Sequence, residues 1–211
     1  VDFPNLVPSS PVGHASIYLG LRGPVFAVAD LGATAECAIV TAADLISIGE
    51  AHVLAAGSVE EVSSVVERCL SPICSGLDFG IRSEGASALL LESAEHAKAR
   101  NARILARLSF WTSWRDDASS ALAALPAPRD PSRSTIVTGH SATRVNLPEG
   151  SSWANVTRRS VEIRAGSHEG IGGMAMAAAV VALAHGTFDE CLVIGVAPQR
   201  GYALLLRADR S

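Results

Sequence analysis

The sequence predicts an α/β fold in which helices and sheets alternate in layers and one structural unit occurs twice. Short apolar runs of strand length alternate with longer helical runs. The runs Glu36–Ile48 and Gly173–His185 are apolar on nearly every face, so we expect each helix to lie between two layers. The order of strand, glycine turn, helix and two strands in the first half recurs in the second half.

Eight apolar or β-branched runs predict the strands. They are Val25–Ala29, His52–Ala56, Ala86–Glu92, Arg103–Ser109, Thr135–Thr138, Val161–Ile163, Leu192–Val196 and Tyr202–Arg207. A third helix, in addition to the two apolar ones, is predicted at Val59–Cys69.

The internal repeat is visible in the glycines that end the helices and in the closing strands. Gly49 and Gly186 end the two apolar helices and lie 137 positions apart. The closing strands "EGASALLLES" and "RGYALLLRA" place Gly85 and Gly201 116 positions apart, so the first copy carries 21 additional residues. A duplicated unit whose two buried helices lie back to back predicts a five-layered α-β-α-β-α fold.

Composition excludes several classes of partner. The chain has 211 residues, of which 48% are hydrophobic, and this is enough to fill one core. With 17 basic and 21 acidic residues, the net charge of -4 argues against binding to nucleic acid or to an anionic membrane. Met174–Ala184 is too short to span a bilayer, and the four cysteines form no C-x-x-C pair, so we expect a cytoplasmic protein. The absence of a phosphate-binding loop motif or a dinucleotide fingerprint predicts no cofactor, and we expect no metal.

Three stretches carry a family resemblance. "GPVFAVADLGATAECAIVTAADLISIGEAHVLAAGSVEE" is followed by "SEGASALLLESAEHAKARNARILARL" and, near the end, by "GSHEGIGGMAMAAAVVALAHG". Together they resemble the β-ketoacyl synthases of the thiolase superfamily, over most of the chain and most weakly between Phe110 and Glu162. The resemblance implies a thiolase-like duplicated α-β-α-β-α fold, reduced in size. An N-terminal half (residues 1–98) and a C-terminal half (residues 99–211) would share one core.

The resemblance also implies a nucleophile site, which this sequence lacks. Such enzymes load the acyl chain onto a cysteine at a helix N-terminus. The alignment places Gly32 of "DLGATAECAI" at that cysteine, and a glycine has no side chain to acylate. Cys37 lies five residues further on, which turns it about 140° around the helix, so we expect it to face the core.

The two histidines of the family are only partly retained. Ser167 aligns with one of them, and we interpret it as a helix N-cap; the alternative is that His168, one residue later, takes that histidine's place. His140 aligns with the other histidine, where a lone imidazole is expected to satisfy a hydrogen bond. Three carboxylates near the predicted pocket would be bases if desolvated, but we interpret them as surface or capping groups: Asp30, Glu36 and Glu84.

The degenerate site implies an acylation-incompetent subunit. It would be a chain-length factor or a structural partner of an active ketosynthase in fatty-acid or polyketide-type biosynthesis, and an acyl carrier protein is a further candidate partner. An acyl-thioester decarboxylase or hydrolase that works without covalent loading, and a homodimeric acyl-binding protein, are the alternatives.

A subunit interface is implied as well. The family pairs an edge strand before the nucleophile turn across a two-fold axis, and the matching residues are Val25, Phe26, Ala27, Val28 and Ala29. The first strand and helix of the N-terminal half would precede Val1. We expect the sheet to lack a strand and to expose an edge, which favours a partner.

Overall fold

A computed structural model describes residues 9–30, 32–65, 68–69, 82–140 and 146–209. Its helices are α1 (Ser10–Leu19), α2 (Thr34–Ser47), α3 (Ala94–Ala99), α4 (Ser119–Ala123), α5 (Glu162–Ala165) and α6 (Ile171–Ala184). Its strands are β1 (Val53–Glu60), β2 (Gly85–Glu92), β3 (Arg107–Arg115), β4 (Ser134–Thr138), β5 (Arg158–Ser160), β6 (Glu190–Val196) and β7 (Arg200–Arg207).

Helices α2 and α6 form the central layer between two sheets. They contact each other, the two-stranded sheet β1-β2 and the five-stranded sheet β3-β7-β6-β4-β5. Ile39 of α2 and Ala175 and Ala179 of α6 are fully buried in this layer. The predicted layered α/β class and the two sandwiched helices are therefore confirmed.

The five-stranded sheet is covered on both faces. Strands β5, β4 and β6 run parallel, and β7 pairs antiparallel with both β6 and β3. On the inner face Val193 and Leu204 pack in the core with α2 and α6. On the outer face Leu192 and Leu205 are covered by a second cluster that includes Trp153 and three smaller side chains: Leu122, Leu125 and Val156.

The two hairpins β1-β2 and β6-β7 have the same register. Ala55 pairs with Leu90, and adding 137 to the first number and 115 to the second gives the pair Leu192 and Leu205. The same shifts reproduce the other pairs along β6-β7, so the internal repeat extends to individual residue pairs. The shift for the closing strands is one residue smaller than the spacing of Gly85 and Gly201 in the sequence. The division into halves at residues 98 and 99 stays a prediction.

The predicted strand at Val25–Ala29 is wrong. These residues form no ladder with any part of the chain that the structure describes. The repeat agrees, because the shift of 137 places residues 162–166 opposite this segment, and they form α5 and its C-cap.

Other predicted elements need smaller corrections. Val161–Ile163 is not a strand, because the chain turns into α5 there, and the strand is β5 just before it. The arginines of β5 do not match the apolar pattern used to predict strands, although charged side chains are typical of edge strands. The strand predicted at Arg103–Ser109 begins later, as β3, because its aromatic part pairs with β7.

The helix predicted at Val59–Cys69 is also misplaced at its start. Val59 and Glu60 extend β1 and pair with Ala86 and Gly85. Residues 64–65 and 68–69 are helical, and residues 66–67 lie outside the described residues, as does Cys74. Among the helices that the structure describes, none is long and apolar enough to cross a bilayer.

Candidate functional site

The turn before α2 is built around a glycine with a left-handed backbone. Gly32 has φ of +89°, a conformation that side chains rarely tolerate. The Ala33 N–H and the Thr34 hydroxyl both donate to the carbonyl oxygen of Asp30, at 3.0 and 2.7 Å. These bonds close the turn and start the helix, although Ala33 at the N-cap provides no side-chain cap.

The backbone of Gly32 accepts a hydrogen bond from a histidine side chain. The Nε2–H of His140 donates to the Gly32 carbonyl oxygen across 3.1 Å. A Cβ placed on Gly32 would lie 3.1 Å from the carbonyl oxygen of Val196 and 3.7 Å from His140 Nε2. The space where a nucleophilic side chain would start is therefore narrow, and the expected hydrogen bond of His140 is confirmed.

His140 itself is anchored through its backbone. It follows β4, and its carbonyl oxygen accepts hydrogen bonds from the hydroxyls of Thr138 and Ser160, at 2.6 and 2.9 Å. Because the carbonyl oxygen of Gly32 can only accept, Nε2 is the donor, and the other ring nitrogen, Nδ1, faces Ser167. Ser167 Oγ lies 3.5 Å from that Nδ1. The interpretation of Ser167 as an N-cap is wrong, because α6 begins at Ile171 and its N-cap is Gly170.

His168 is the second imidazole of the cluster. It is fully buried, and neither of its ring nitrogens has a hydrogen-bond partner in the structure. Burial lowers its pKa, and the nearby His140 and Arg82 add to this shift, whereas Glu169 opposes it. The ring is neutral at neutral pH. It points toward the start of β2, where a Cβ on Gly85 would lie 3.1 Å from its Nε2.

Beside His168 lies an ion-pair cluster that the sequence analysis did not predict. The guanidinium of Arg82 donates to both oxygens of Glu169, at 2.8 and 3.1 Å, and lies 3.6 Å from Glu60. Burial and the neighbouring Glu169 raise the pKa of Glu60. Burial works against ionisation of Glu169 too, but the bonds from Arg82 lower its pKa overall. In the sequence, the one feature that pointed to this cluster was Glu169, a carboxylate directly after His168.

Glu36 departs most from its predicted role. It is 1% exposed, not a surface or capping group, and burial raises its pKa to about 7. Its carboxylate lies against Gly172 of α6 and Gly195 of β6, where any Cβ would overlap it. Its Oε2 has no hydrogen-bond partner. Glu36 is therefore a buried acid one helical turn after Gly32.

The remaining predicted residues have other surroundings. Asp30 accepts a hydrogen bond from the Tyr202 hydroxyl at 2.8 Å, and Glu84 is exposed. Cys37 is half-buried and packs against the central core, as predicted. A surface cavity of about 560 Å³ lies between α6 and the strands β4 and β5, and none of the cluster residues lines it.

Curated relatives match about half of this chain. Nodulation protein E of Rhizobium leguminosarum bv. trifolii is 37% identical over 118 residues, which are 50% of this chain and 29% of that protein. The 3-oxoacyl-[acyl-carrier-protein] synthase 2 of Vibrio harveyi is 33% identical over 127 residues, or 50% of this chain and 31% of that protein. No protein-family model matches the chain.

Solved structures match over nearly the whole chain. A type II polyketide synthase acyl-carrier protein in complex with its ketosynthase gives a TM-score of 0.76 at 18% identity, covering 96% of this chain and 63% of that chain. A β-ketoacyl synthase from Burkholderia phymatum gives 0.73 at 18% identity, covering 97% and 66%.

The chain is a β-ketoacyl synthase-like protein of the thiolase fold. The resemblance drawn from its sequence is thus confirmed. The chain spans about 30% of the length of these curated relatives and from a half to two thirds of the solved chains. Within this ketosynthase-like chain, the structure brings four predicted site residues together: Gly32, His140, Ser167 and His168.

Proposed function

We propose that this chain is an acylation-incompetent ketosynthase-like subunit. It would pair with an active ketosynthase, as a chain-length factor or structural partner, in fatty-acid or polyketide-type biosynthesis. The observation that carries the proposal is Gly32, which stands at the helix N-terminus where the resemblance places a cysteine. Without a side chain at that position, no thioester forms there.

The surroundings of Gly32 support the same proposal. His140 bonds to the Gly32 backbone, and the carbonyl oxygen of Val196 occupies the space next to a Cβ. A turn that merely lost its cysteine would keep room for one. Here a Cβ would come within 3.1 Å of the Val196 carbonyl oxygen, a tight contact that favours a role in shape over a role in chemistry.

The proposed partner surface is the segment before the turn. Val25 and Phe26 are 47% and 57% exposed, and no strand in the described residues covers them. An exposed apolar segment of this kind favours protein contact. Val25, Phe26, Ala27, Val28 and Ala29 would pair with the partner, and the acyl carrier protein that accompanies the ketosynthase of one structural neighbour is a second candidate partner.

Co-expression with a full-length ketosynthase tests the pairing. We expect native mass spectrometry to find a heterodimer, and we expect the chain to change the length of the ketosynthase product. A Phe26→Asp variant should lose the heterodimer, whereas Leu105→Asp, at another exposed apolar residue, should keep it. A stable monomer that neither binds the ketosynthase nor alters its product length would contradict the proposal.

Incubation with an acyl carrier protein loaded with a radiolabelled acyl chain tests the missing nucleophile. We expect no covalent label on the chain, while an active ketosynthase in a parallel reaction takes it up. Label on Cys37, abolished by Cys37→Ala, would show that acylation moved to another thiol.

The histidine cluster supports a second candidate function, which is decarboxylation of a malonyl thioester without covalent loading. His140 and His168 are neighbours, His140 contacts Gly32, and the ring nitrogens of His168 have no partner in the structure. N–H donors placed there would stabilise the enolate oxygen that forms when carbon dioxide leaves. Release of carbon dioxide from malonyl carrier protein, lost in both His140→Ala and His168→Ala, would favour this function over the first.

A further inference from the structure

His168 is an ionisable side chain that is enclosed on all sides. It is fully buried, and neither Nδ1 nor Nε2 has a hydrogen-bond partner in the structure. Two glycines leave the space for its ring, because a Cβ on Gly85 would lie 3.1 Å from Nε2 and a Cβ on Gly170 would lie 3.4 Å from Nδ1. The ring is already buried within the given residues, so its enclosure does not depend on what precedes Val1.

The ring lies at a junction between two segments, which are residues 82–85 at the start of β2 and residues 167–170 before α6. The Ser83 N–H donates to the carbonyl oxygen of Ser167 at 3.0 Å, and Arg82 and Ser167 form a parallel bridge. The hydroxyl of Ser83 is buried and has no hydrogen-bond partner in the structure. The closed junction therefore leaves polar side-chain atoms unsatisfied, which makes its closure less stable.

The charges around His168 disfavour a proton on its ring. The ionisable groups nearby are Glu169 on its own segment, Arg82 and Glu84 on the other segment, Glu60 at the end of β1 and His140 after β4. Arg82 would repel an imidazolium, and both oxygens of Glu169 already accept hydrogen bonds from Arg82. An imidazolium in the closed junction would be a buried charge without an acceptor, which is unfavourable.

Closure of the junction is therefore coupled to loss of a proton from the ring. When the junction opens, the ring reaches water and recovers the ordinary histidine pKa of 6.5. In the closed form burial lowers this pKa, although Glu169 opposes the shift. Below about pH 6.5 the open form takes up a proton that the closed form does not hold, so acidification favours opening.

We propose that His168 is a pH sensor that keeps this junction closed at neutral pH and opens it in mild acid. The junction is linked to the turn before α2. The Ser167 hydroxyl lies 3.5 Å from Nδ1 of His140, and His140 donates to the carbonyl oxygen of Gly32. The sensor does not depend on whether the chain pairs with a ketosynthase.

Hydrogen exchange of the Ser83 amide measures the opening. Its protection, corrected for the intrinsic exchange rate, should fall about tenfold for each pH unit below about pH 6, because opening takes up one proton. Circular dichroism should stay constant over this range, since the opening is local. Protection at Ser83 that is unchanged between about pH 7 and about pH 5 would overturn the proposal, and so would loss of the whole fold.

Two variants separate His168 from its neighbours. His168→Phe keeps a ring without ionisable atoms, so protection at Ser83 should become independent of pH. The matched control His185→Phe, at an exposed histidine after α6, should keep the dependence of the parent. Glu60→Gln should keep it as well, although burial raises the pKa of Glu60. A dependence that is lost in Glu60→Gln and kept in His168→Phe would overturn the proposal.

A measurement on the parent chain keeps the proposal testable even if His168→Phe does not fold. In a sample with isotope-labelled histidine, the ring resonances of His168 should stay those of a neutral imidazole in the closed form. A second set, from a charged ring, should grow as protection at Ser83 falls. A single set that moves to the charged form while Ser83 stays protected would mean that the closed junction accepts the proton, and the proposal would be wrong.

Discussion

The imidazole of His140 donates its Nε2–H to the carbonyl oxygen of Gly32, 108 positions earlier in the chain, across 3.1 Å. This bond connects the end of β4 in the five-stranded sheet to the turn that begins α2. The other ring nitrogen of His140, Nδ1, lies 3.5 Å from Ser167 Oγ. The two halves of the repeat therefore meet at a polar contact through which the backbone of Gly32 is held.

The Gly32→Ala variant should lower the free energy of unfolding by about 1 to 3 kcal/mol, because a side chain is strained at φ of +89° and its Cβ approaches the Val196 carbonyl. Urea denaturation measures the change. Gly13→Ala is the matched control, since Gly13 lies in α1 with open space around it, and this variant should be neutral or slightly stabilising. Equal losses in both variants would contradict the account of the turn.

The arrangement of layers was predictable because it depends on local pattern. α2 and α6 carry almost no charge, and a helix that is apolar on all sides is stable only between two layers. The repeat could also be predicted from local sequence, because Gly49 and Gly186 end the two helices at matching positions. Gly32 could be picked out because Ala38 and Ile39 align the turn with the family's nucleophile site, which has a cysteine where this chain has Gly32.

The polar part of the site could not be predicted because it depends on distant neighbours. Glu36 is buried only because Gly172 and Gly195, more than a hundred positions away, leave space for its carboxylate. Ser167 reads as an N-cap until the start of α6 at Ile171 is known. The segment Val25–Ala29 has the composition of a strand, but a strand needs an adjacent partner, which composition does not reveal.

Removal of Arg82 should cost about 3 kcal/mol of the free energy of unfolding, because Arg82→Ala leaves Glu169 buried and ionised opposite Glu60. Chemical denaturation at neutral pH measures the loss. The control is Arg100→Ala, which breaks a solvent-screened pair with Glu92 and should cost much less than Arg82→Ala. Adding Glu169→Gln to Arg82→Ala should recover part of the stability, and an absence of recovery would argue against charge as the cause.

We expect Trp153 to contribute most to the stability of the cluster that covers the outer face of the five-stranded sheet. It is fully buried, and its Nε1–H donates to the carbonyl oxygen of Pro126 at 2.9 Å. Trp153→Ala should cost about 3 to 5 kcal/mol through the cavity that it leaves. Trp153→Phe should cost about 1 to 3 kcal/mol, because a buried carbonyl loses its donor.

Trp111 provides the comparison for Trp153, because its Nε1–H donates to Asp44 in a solvent-exposed position. Trp111→Phe should therefore cost less than Trp153→Phe in the same denaturation experiment. A larger loss at Trp111 would mean that the covering of the outer face is less important than the contact between β3 and α2.

Glu36 should make the stability of the protein fall as the pH rises. Its pKa is raised from 4.5 to about 7, chiefly by burial, so the folded state holds a proton that the unfolded state has released. The stabilising contribution of the neutral acid is complete below the unfolded pKa of 4.5 and is lost as the pH passes through about 7. The loss is on the order of 3 kcal/mol.

Glu36→Gln keeps the shape of the neutral acid and removes its ionisation, so it should flatten this dependence. Denaturation curves recorded across the range should show the variant close to the parent at about pH 5 and clearly more stable at about pH 8. Glu84→Gln, at an exposed carboxylate, should leave the slope of the parent unchanged. A Glu36→Gln variant that is destabilised equally at every pH would contradict this account. The carboxylate would then be ionised in the folded state and stabilised by charge, and burial between Gly172 and Gly195 would not keep it neutral.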